Sequence, residues 1–270
     1  MAKKTVDNVN FKGLRTFIRC DFNVPLNDAG EITNDLRIAN ALPTIKKVIA
    51  DGAKVVLASH LKRPDGRDPK CSLKPVAARL SESLGQEVKL LDDCIGADVE
   101  AAVNALGEGE VVLLENVRFH AAETSKDEAE VKAFSAELAK LADIFVLDAF
   151  GTAHRAQASV VGLADHVEAV SGYLLAKELE YFGKVLESPE KPVVAILGGA
   201  KVSDKIQLIE NMLDKVDKII VGGAMAYTFQ LGQGRNVGDS LVEADKTELS
   251  ADGYDVCQIT VKILDEDEQF

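Results

Sequence analysis

The chain has only four cysteines, Cys20, Cys71, Cys94 and Cys257, with no Cys-x-x-Cys spacing. They read as reduced, buried or half-buried thiols of a cytoplasmic protein. No apolar run approaches 18 residues, which excludes a membrane-spanning helix. The first residues, Met1 to Asp7, lack the apolar core of a signal peptide. Positive charge is also scarce, with 31 Lys and Arg against 44 Asp and Glu, a net charge of −13. That balance argues against a nucleic-acid partner. Residues 243–270 alone hold nine acidic residues against Lys246 and Lys262, so any basic site must be a local cluster, and such clusters suit small anions. Two nucleotide fingerprints are missing as well. There is no Gly-x-Gly-x-x-Gly after the first strand, against a dinucleotide oxidoreductase, and no Walker A loop.

What is present suits a soluble globular chain of one large or two ordinary domains: 270 residues, 47% hydrophobic and 28% charged. Short, β-branched runs at 15–20, 53–58, 88–91, 110–114 and 143–147 read as strands apolar on both faces. Helical spacing falls at 35–50, 73–84, 97–106 and 126–141, the last with Phe134, Leu138 and Leu141 on one stripe. This alternation predicts a doubly wound parallel sheet. A long helix follows at 172–187, and Ser188-Pro189-Glu190-Lys191-Pro192 breaks it. A second rhythm then gives a strand at 193–197, a helix at 201–214, a strand at 218–221 and a helix at 225–231. An alternating stretch at 254–264 could add an edge strand. The expected fold class is α/β, two doubly wound parallel-sheet (Rossmann-like) domains with the second truncated. The boundaries are a domain at 1–171, an interdomain helix at 172–187 and an incomplete domain at 188–270.

The first strand ends in Arg19-Cys20-Asp21-Phe22-Asn23-Val24-Pro25, and Pro25 blocks continuation of the ladder. Ligands of open α/β sheets sit outside the carboxyl ends of strands, so these polar groups are site candidates. Other strands end in the same manner: Ser59-His60-Leu61-Lys62-Arg63, Glu115-Asn116-Val117-Arg118-Phe119-His120, and Asp148 through His154-Arg155. Arg19 or Arg37, Arg63, Arg118 and Arg155 can therefore converge on one sheet edge. Guanidinium groups bind phosphate and carboxylate bidentately, which points to a small ligand with at least one phosphate. His60 and His154 could donate to it; His120 and His166 read as packed interior histidines. In the second region Val193 to Leu197 leads into Gly198-Gly199-Ala200-Lys201-Val202-Ser203-Asp204-Lys205, a strand, glycine turn and helix start of the kind that binds phosphates. Gly222-Gly223-Ala224 repeats the arrangement. Two anion sites suggest phosphoryl transfer, which asks mainly for positioning and cationic stabilisation. No general base is needed if the acceptor oxygen is already ionised.

Taken together, these motifs, in this order and spacing over about residues 1–250, resemble the phosphoglycerate kinase family. The resemblance implies reversible transfer of the terminal phosphate of Mg-ATP to the carboxylate of 3-phosphoglycerate, a glycolytic step, by a cytoplasmic and monomeric enzyme whose two domains close over the substrates. It implies that Asp21, Asn23, Arg37, His60, Arg63, Arg118 and Arg155 hold phosphoglycerate, with Phe22, Leu61 and Lys62 in the same lining. Arg37 and Lys201 would stabilise the phosphoryl group in flight. Lys205 would meet the nucleotide phosphates, with Ala200, Gly222 and Gly223 near the adenosine. Mg²⁺ would arrive with ATP or ADP, because the family's metal aspartate is not found in this chain. Lys62 stands where the family usually has glycine. From about residue 252 the sequence is an acidic tail unlike the family, so the alternative expectation is an inactive truncated form that binds phosphoglycerate only and could associate through its uncovered surface.

Overall fold

The computed structural model describes residues 4–187 and 190–243. The expected strand at 254–264 and the acidic tail lie outside the described residues. Two compact units divide the chain, Met1–Glu180 and Tyr181–Phe270.

In unit 1 six parallel strands form one sheet: β1 (Arg15–Cys20), β2 (Lys54–Ala58), β3 (Val88–Leu90), β4 (Val111–Leu113), β5 (Ile144–Asp148) and β6 (Ala169–Ser171), in the order β3-β4-β2-β1-β5-β6. Successive side chains of a strand point to opposite faces, and here both faces are apolar. Ile18, Val55, Leu57 and Val146 pack with Ile38, Ile45 and Leu80, from α1 (Leu36–Ala50) and α2 (Lys74–Leu84). Their strand neighbours Phe17, Val56, Val112 and Phe145 pack instead with Val99, Val103, Phe134 and Leu138, from α3 (Ala97–Asn104) and α4 (Glu128–Ala139). The central strands β1, β2, β4 and β5 are thus covered twice, which is why they read as continuous apolar runs. The α/β class and parallel sheet are as expected from the sequence.

Two elements were not legible. One is β6, three residues beside β5 with too little pattern to register. The other is α5 (Phe150–Ala153), a single turn straight after β5. The register aligns the strand ends, with Arg19 opposite Ala58, Leu57 opposite Leu113 and Cys20 opposite Asp148. Chain leaving β1 goes first to β2 on one flank and later returns as β5 on the other. The carboxyl ends of β1, β2 and β5 are therefore where a crevice opens in such a sheet.

A long helix, α6 (Tyr173–Glu187), follows β6. Its start is held by Asp148 at the end of β5, whose Oδ1 accepts from the N–H groups of Leu174 and Leu175 at 2.9 and 3.2 Å.

Unit 2 contains the parallel pair β7 (Val194–Gly198) and β8 (Lys218–Gly222), with α7 (Ile206–Leu213) and α8 (Met225–Gly232). Among the described residues of this unit only Ala195, Ile209 and Met225 are buried apolar side chains, while Ile196 is 76% exposed.

Candidate functional site

The polar residues at the strand ends of unit 1 separate into an exposed layer and a buried layer beneath it. In the exposed layer, Arg37 at the start of α1 pairs with Asp21 Oδ2 at 2.5 Å. Gly151 closes against the same carboxylate, since a Cβ there would lie 3.3 Å from Asp21 Oδ2. Asn23 turns back over the second strand exit, its Oδ1 accepting the Lys62 N–H at 2.8 Å. The Lys62 carbonyl in turn accepts from Arg118 Nη1 at 2.6 Å. Lys62 thus ties the first, second and fourth strand exits through its backbone alone.

Its conformation has a cost. Lys62 has φ +57°, and among the described residues it alone is a non-glycine with positive φ. Side-chain-bearing residues pay roughly 1–2 kcal/mol in this region, partly offset because glycine is floppier in the unfolded chain. Lys62→Gly is expected to stabilise unit 1 by about 0.5–1 kcal/mol, readable from urea unfolding. A destabilised variant would show that the lysine side chain makes a compensating contact.

Arg118 is half-buried, and its pKa is lowered by burial first, then by Arg155, Arg19 and Arg63. That shift records the convergence of these cations at the fourth and fifth strand exits. Arg155 also reaches His154, with Nε donating to His154 Nε2 at 3.4 Å. Phe22 and Leu61, by contrast, have side chains fully buried in the core. They can offer only backbone to the crevice, and the Leu61 carbonyl already accepts from Asn116 at 2.8 Å.

His60 is buried. Burial, then Arg19, Arg118 and Arg155, lower its pKa from 6.5 to about 3, against the opposing pull of Asp21. It is neutral at physiological pH. Its native value lies below the unfolded one, so the folded state binds fewer protons and stability is lost as pH falls from about 6.5 toward 3. The loss reaches about 2 kcal/mol by pH 5. His60→Gln is expected to remove that part of the difference between unfolding free energies at pH 7 and pH 5. An unchanged difference would mean that His60 titrates near its ordinary value.

The buried layer was largely missed from the sequence. Arg19 is wholly buried, its Nε donating to Ser159 Oγ at 2.8 Å. Ser159 donates to Glu123, and Ser59 Oγ accepts the Phe22 N–H at 2.8 Å. Glu115 receives Ser72 Oγ and the Leu73 N–H at 2.7 and 2.8 Å, which fixes the β4 exit to the segment before α2. A polar residue directly after an apolar strand was the available signal for Ser59 and Glu115. Glu123 and Ser159 sit in segments with no such signal.

His120 is half-buried and His166 exposed, so the expected interior packing does not hold for His166, although both rings find a partner. His120 Nε2 lies 2.5 Å from Asp93 Oδ1 with its ring stacked on Phe134, and His166 Nε2 lies 3.2 Å from Ser135 Oγ. Asp93, Cys94 and His120 form the sole group of three potential metal ligands among the described residues. Its thiol donates to the Glu115 carbonyl at 2.9 Å, and burial pushes the Cys94 pKa well up. A thiol held protonated and hydrogen-bonded in this way suits packing, not a hard cation such as Mg²⁺.

In unit 2 the two glycine turns lie side by side at the ends of β7 and β8. Gly198 pairs in register with Gly222, and Gly199 O accepts the Met225 N–H at 3.0 Å. Gly223 has φ +72°, and a Cβ on it would come within 2.8 Å of Gly199 O; no other residue fits. Lys205 runs over the first turn, with Cε 3.2 Å from where a Gly199 Cβ would stand. The helix expected from residue 201 begins instead as a 3-10 turn at Ser203–Lys205, with α7 starting at Ile206. Its first amides are not free: Val202 and Ser203 N–H both donate to Glu243 Oε2 at 2.9 Å. An anion at this turn would depend on Lys201, Lys205 and the glycine backbone.

The fold is that of an α/β protein with a glycine-lined and an arginine-lined strand edge. Comparison with known proteins narrows that class. The phosphoglycerate kinase family model matches residues 6–266, so the resemblance runs past residue 252, where the sequence had been expected to turn into a tail unlike the family. The phosphoglycerate kinase of Gloeobacter violaceus is 55% identical over 270 residues, covering 98% of this chain and 65% of its own. That of Clostridium botulinum strain Eklund 17B is 54% identical over 252 residues, 92% of this chain and 62% of its own. Among solved structures, phosphoglycerate kinase from Coxiella burnetii superposes with a TM-score of 0.78 at 45% identity, covering 90% of this chain and 60% of that one. The enzyme from Pyrococcus horikoshii gives 0.77 at 37%, covering 87% and 59%. The chain belongs to the phosphoglycerate kinase family. It spans less than two thirds of the length of these relatives.

Proposed function

We propose that the chain carries the substrate-binding parts of a phosphoglycerate kinase, transferring the terminal phosphoryl group of ATP to the carboxylate of 3-phosphoglycerate and back. The observation that carries this reading is the gathering of Arg63, Arg118, Arg155 and His60 around one strand edge of an acidic protein, beside Asp21, Asn23 and Arg37. Among the described residues Arg63, Arg118 and Arg155 form no ion pair, Glu123 offsetting Arg118 only from the buried layer, so their charge raises the local potential and a phosphate dianion relieves it. Asp21 and Asn23 supply an acceptor and an amide suited to the substrate hydroxyl and carboxylate. Phe22, Leu61 and Lys62 contribute backbone to the lining. Gly222, Gly223 and Ala200 are assigned to the adenosine, Lys205 to its phosphates, and Arg37 and Lys201 to the phosphoryl group in transfer. Mg²⁺ enters as part of the nucleotide substrate, where it neutralises phosphate charge. The acceptor carboxylate is ionised at neutral pH, so this chain needs no general base.

No described helix is long and apolar enough to cross a membrane. A cytoplasmic, monomeric enzyme belongs to the same reading.

Calorimetric titration of the 270-residue chain with 3-phosphoglycerate and with Mg-ATP tests the two halves separately, and a coupled assay tests turnover. Saturable phosphoglycerate binding that weakens with salt supports the assignment. Failure to bind 3-phosphoglycerate overturns it.

A further inference from the structure

Beneath the exposed cations runs a continuous buried chain of polar groups that the proposed reaction does not itself use. Glu123, fully buried, accepts from Ser159 twice, from its N–H at 2.9 Å and its hydroxyl at 2.6 Å. The Ser159 hydroxyl spends its proton on Glu123, and its oxygen accepts Arg19 Nε at 2.8 Å. Arg19 gives Nη1 to the Cys20 carbonyl, and its Nη2 stands 3.3 Å from His60 Nδ1.

Every proton along this line has a determined direction. A guanidinium has no lone pair to offer, so its partner on His60 must be the acceptor. With Nδ1 accepting, the imidazole proton resides on Nε2. We propose that Glu123, Ser159 and Arg19 are positioning residues that hold His60 in the Nε2–H tautomer, so that the ring donates one fixed hydrogen bond to the phosphoglycerate anion. The proposal rests on the functional reading above for the identity of that anion.

Two further observations support it. Buried arginine and glutamate side chains are rare unless paired, and here each offsets the other through one serine: burial lowers the Arg19 pKa while Glu123 opposes the shift, and burial raises that of Glu123 while Arg19 opposes it. The chain also links three separate elements, β1, the 3-10 turn at Ala121–Thr124 and the loop before the 3-10 turn at Gly162–Asp165. Packing alone would have been met by apolar side chains at lower cost. The charged groups facing His60 are Arg19 and Asp21 from β1 and its exit, Arg118 from the fourth exit and Arg155 from the fifth. Among the described residues only Arg19 bonds to the ring itself. A free imidazole would exchange tautomers and lose part of each binding event to the wrong one.

The test uses ¹⁵N NMR of the imidazole in the 270-residue chain, with phosphoglycerate titrated in the same samples. Wild type is expected to show one tautomer, pyridine-like at Nδ1 and protonated at Nε2. Ser159→Ala removes the bridging hydroxyl; its His60 signals are expected to move toward tautomer averaging, with affinity for 3-phosphoglycerate about tenfold weaker. Ser159→Thr, which keeps the hydroxyl, is expected to restore both. A merely structural serine would lower stability and leave the His60 tautomer unmoved, and that result overturns the proposal. So does an Nδ1–H tautomer in wild type, which needs no variant to fold. Wild type with the Nε2–H tautomer but no phosphoglycerate binding leaves the positioning chain supported and overturns the functional reading instead.

Discussion

Arg118→Ala is expected to weaken 3-phosphoglycerate binding by roughly 30–100-fold while leaving the stability of the unliganded chain within about 1 kcal/mol of wild type. The two effects have different origins. Truncating a desolvated charge that pairs with a ligand costs about 2–3 kcal/mol when the site is half-open. In the unliganded chain the same side chain is crowded by Arg155, Arg19 and Arg63, and burial already disfavours its charged form. Removing it relieves that repulsion and forfeits one hydrogen bond, to the Lys62 carbonyl, so the two contributions nearly cancel. Arg118→Lys keeps the charge but not the planar fork, and is expected to recover only part of the affinity. Calorimetry for binding and thermal melting for stability read the two sides. A large loss of stability with intact binding per folded molecule would make Arg118 a structural residue.

The sheet of unit 1 was legible because each of its longer strands carries apolar residues on both faces, as Phe17 beside Ile18 and Phe145 beside Val146 show. Short pieces such as β6 escaped, since three residues cannot display a period. The exposed site was legible for a related reason: arginines and histidines gathered in the segments that follow apolar strands stand out against the acidic background. What the sequence could not supply is depth. Arg19 looks like one more cation of the cluster, yet the strand register turns it inward, where it meets Ser159, 140 residues away. Glu123 lies among ordinary polar neighbours, and only folding shows it to be the buried counter-charge. In unit 2, the amides expected to be open to an anion are taken by Glu243, a partner 40 residues on from Ser203. Long-range pairings of this kind leave no local trace.

Gly172→Ala is expected to destabilise the chain by about 3 kcal/mol and lower its melting temperature by roughly 10 °C. Gly172 needs no unusual backbone angle; what it needs is space. A Cβ at this position would stand 2.6 Å from Asp148 Cβ and closer still to the carboxyl carbon. The carboxylate cannot retreat without releasing the N–H groups of Leu174 and Leu175 that it caps at the start of α6. Displacing such a cap costs about 1 kcal/mol, and overpacking at a buried site adds about 1–3 kcal/mol. Asp148 also ends β5, one residue before Ala149 and the turn that brings Gly151 against Asp21. A shift of Asp148 therefore reaches the crevice through three peptide units, so the folded fraction of Gly172→Ala is expected to bind phosphoglycerate more weakly as well. Asp148→Asn in the Gly172→Ala background separates the causes. If the clash is steric, the double variant stays as unstable as the single one; recovery of stability would instead show that burial of the carboxylate charge, which raises the Asp148 pKa, is what the added methyl makes worse.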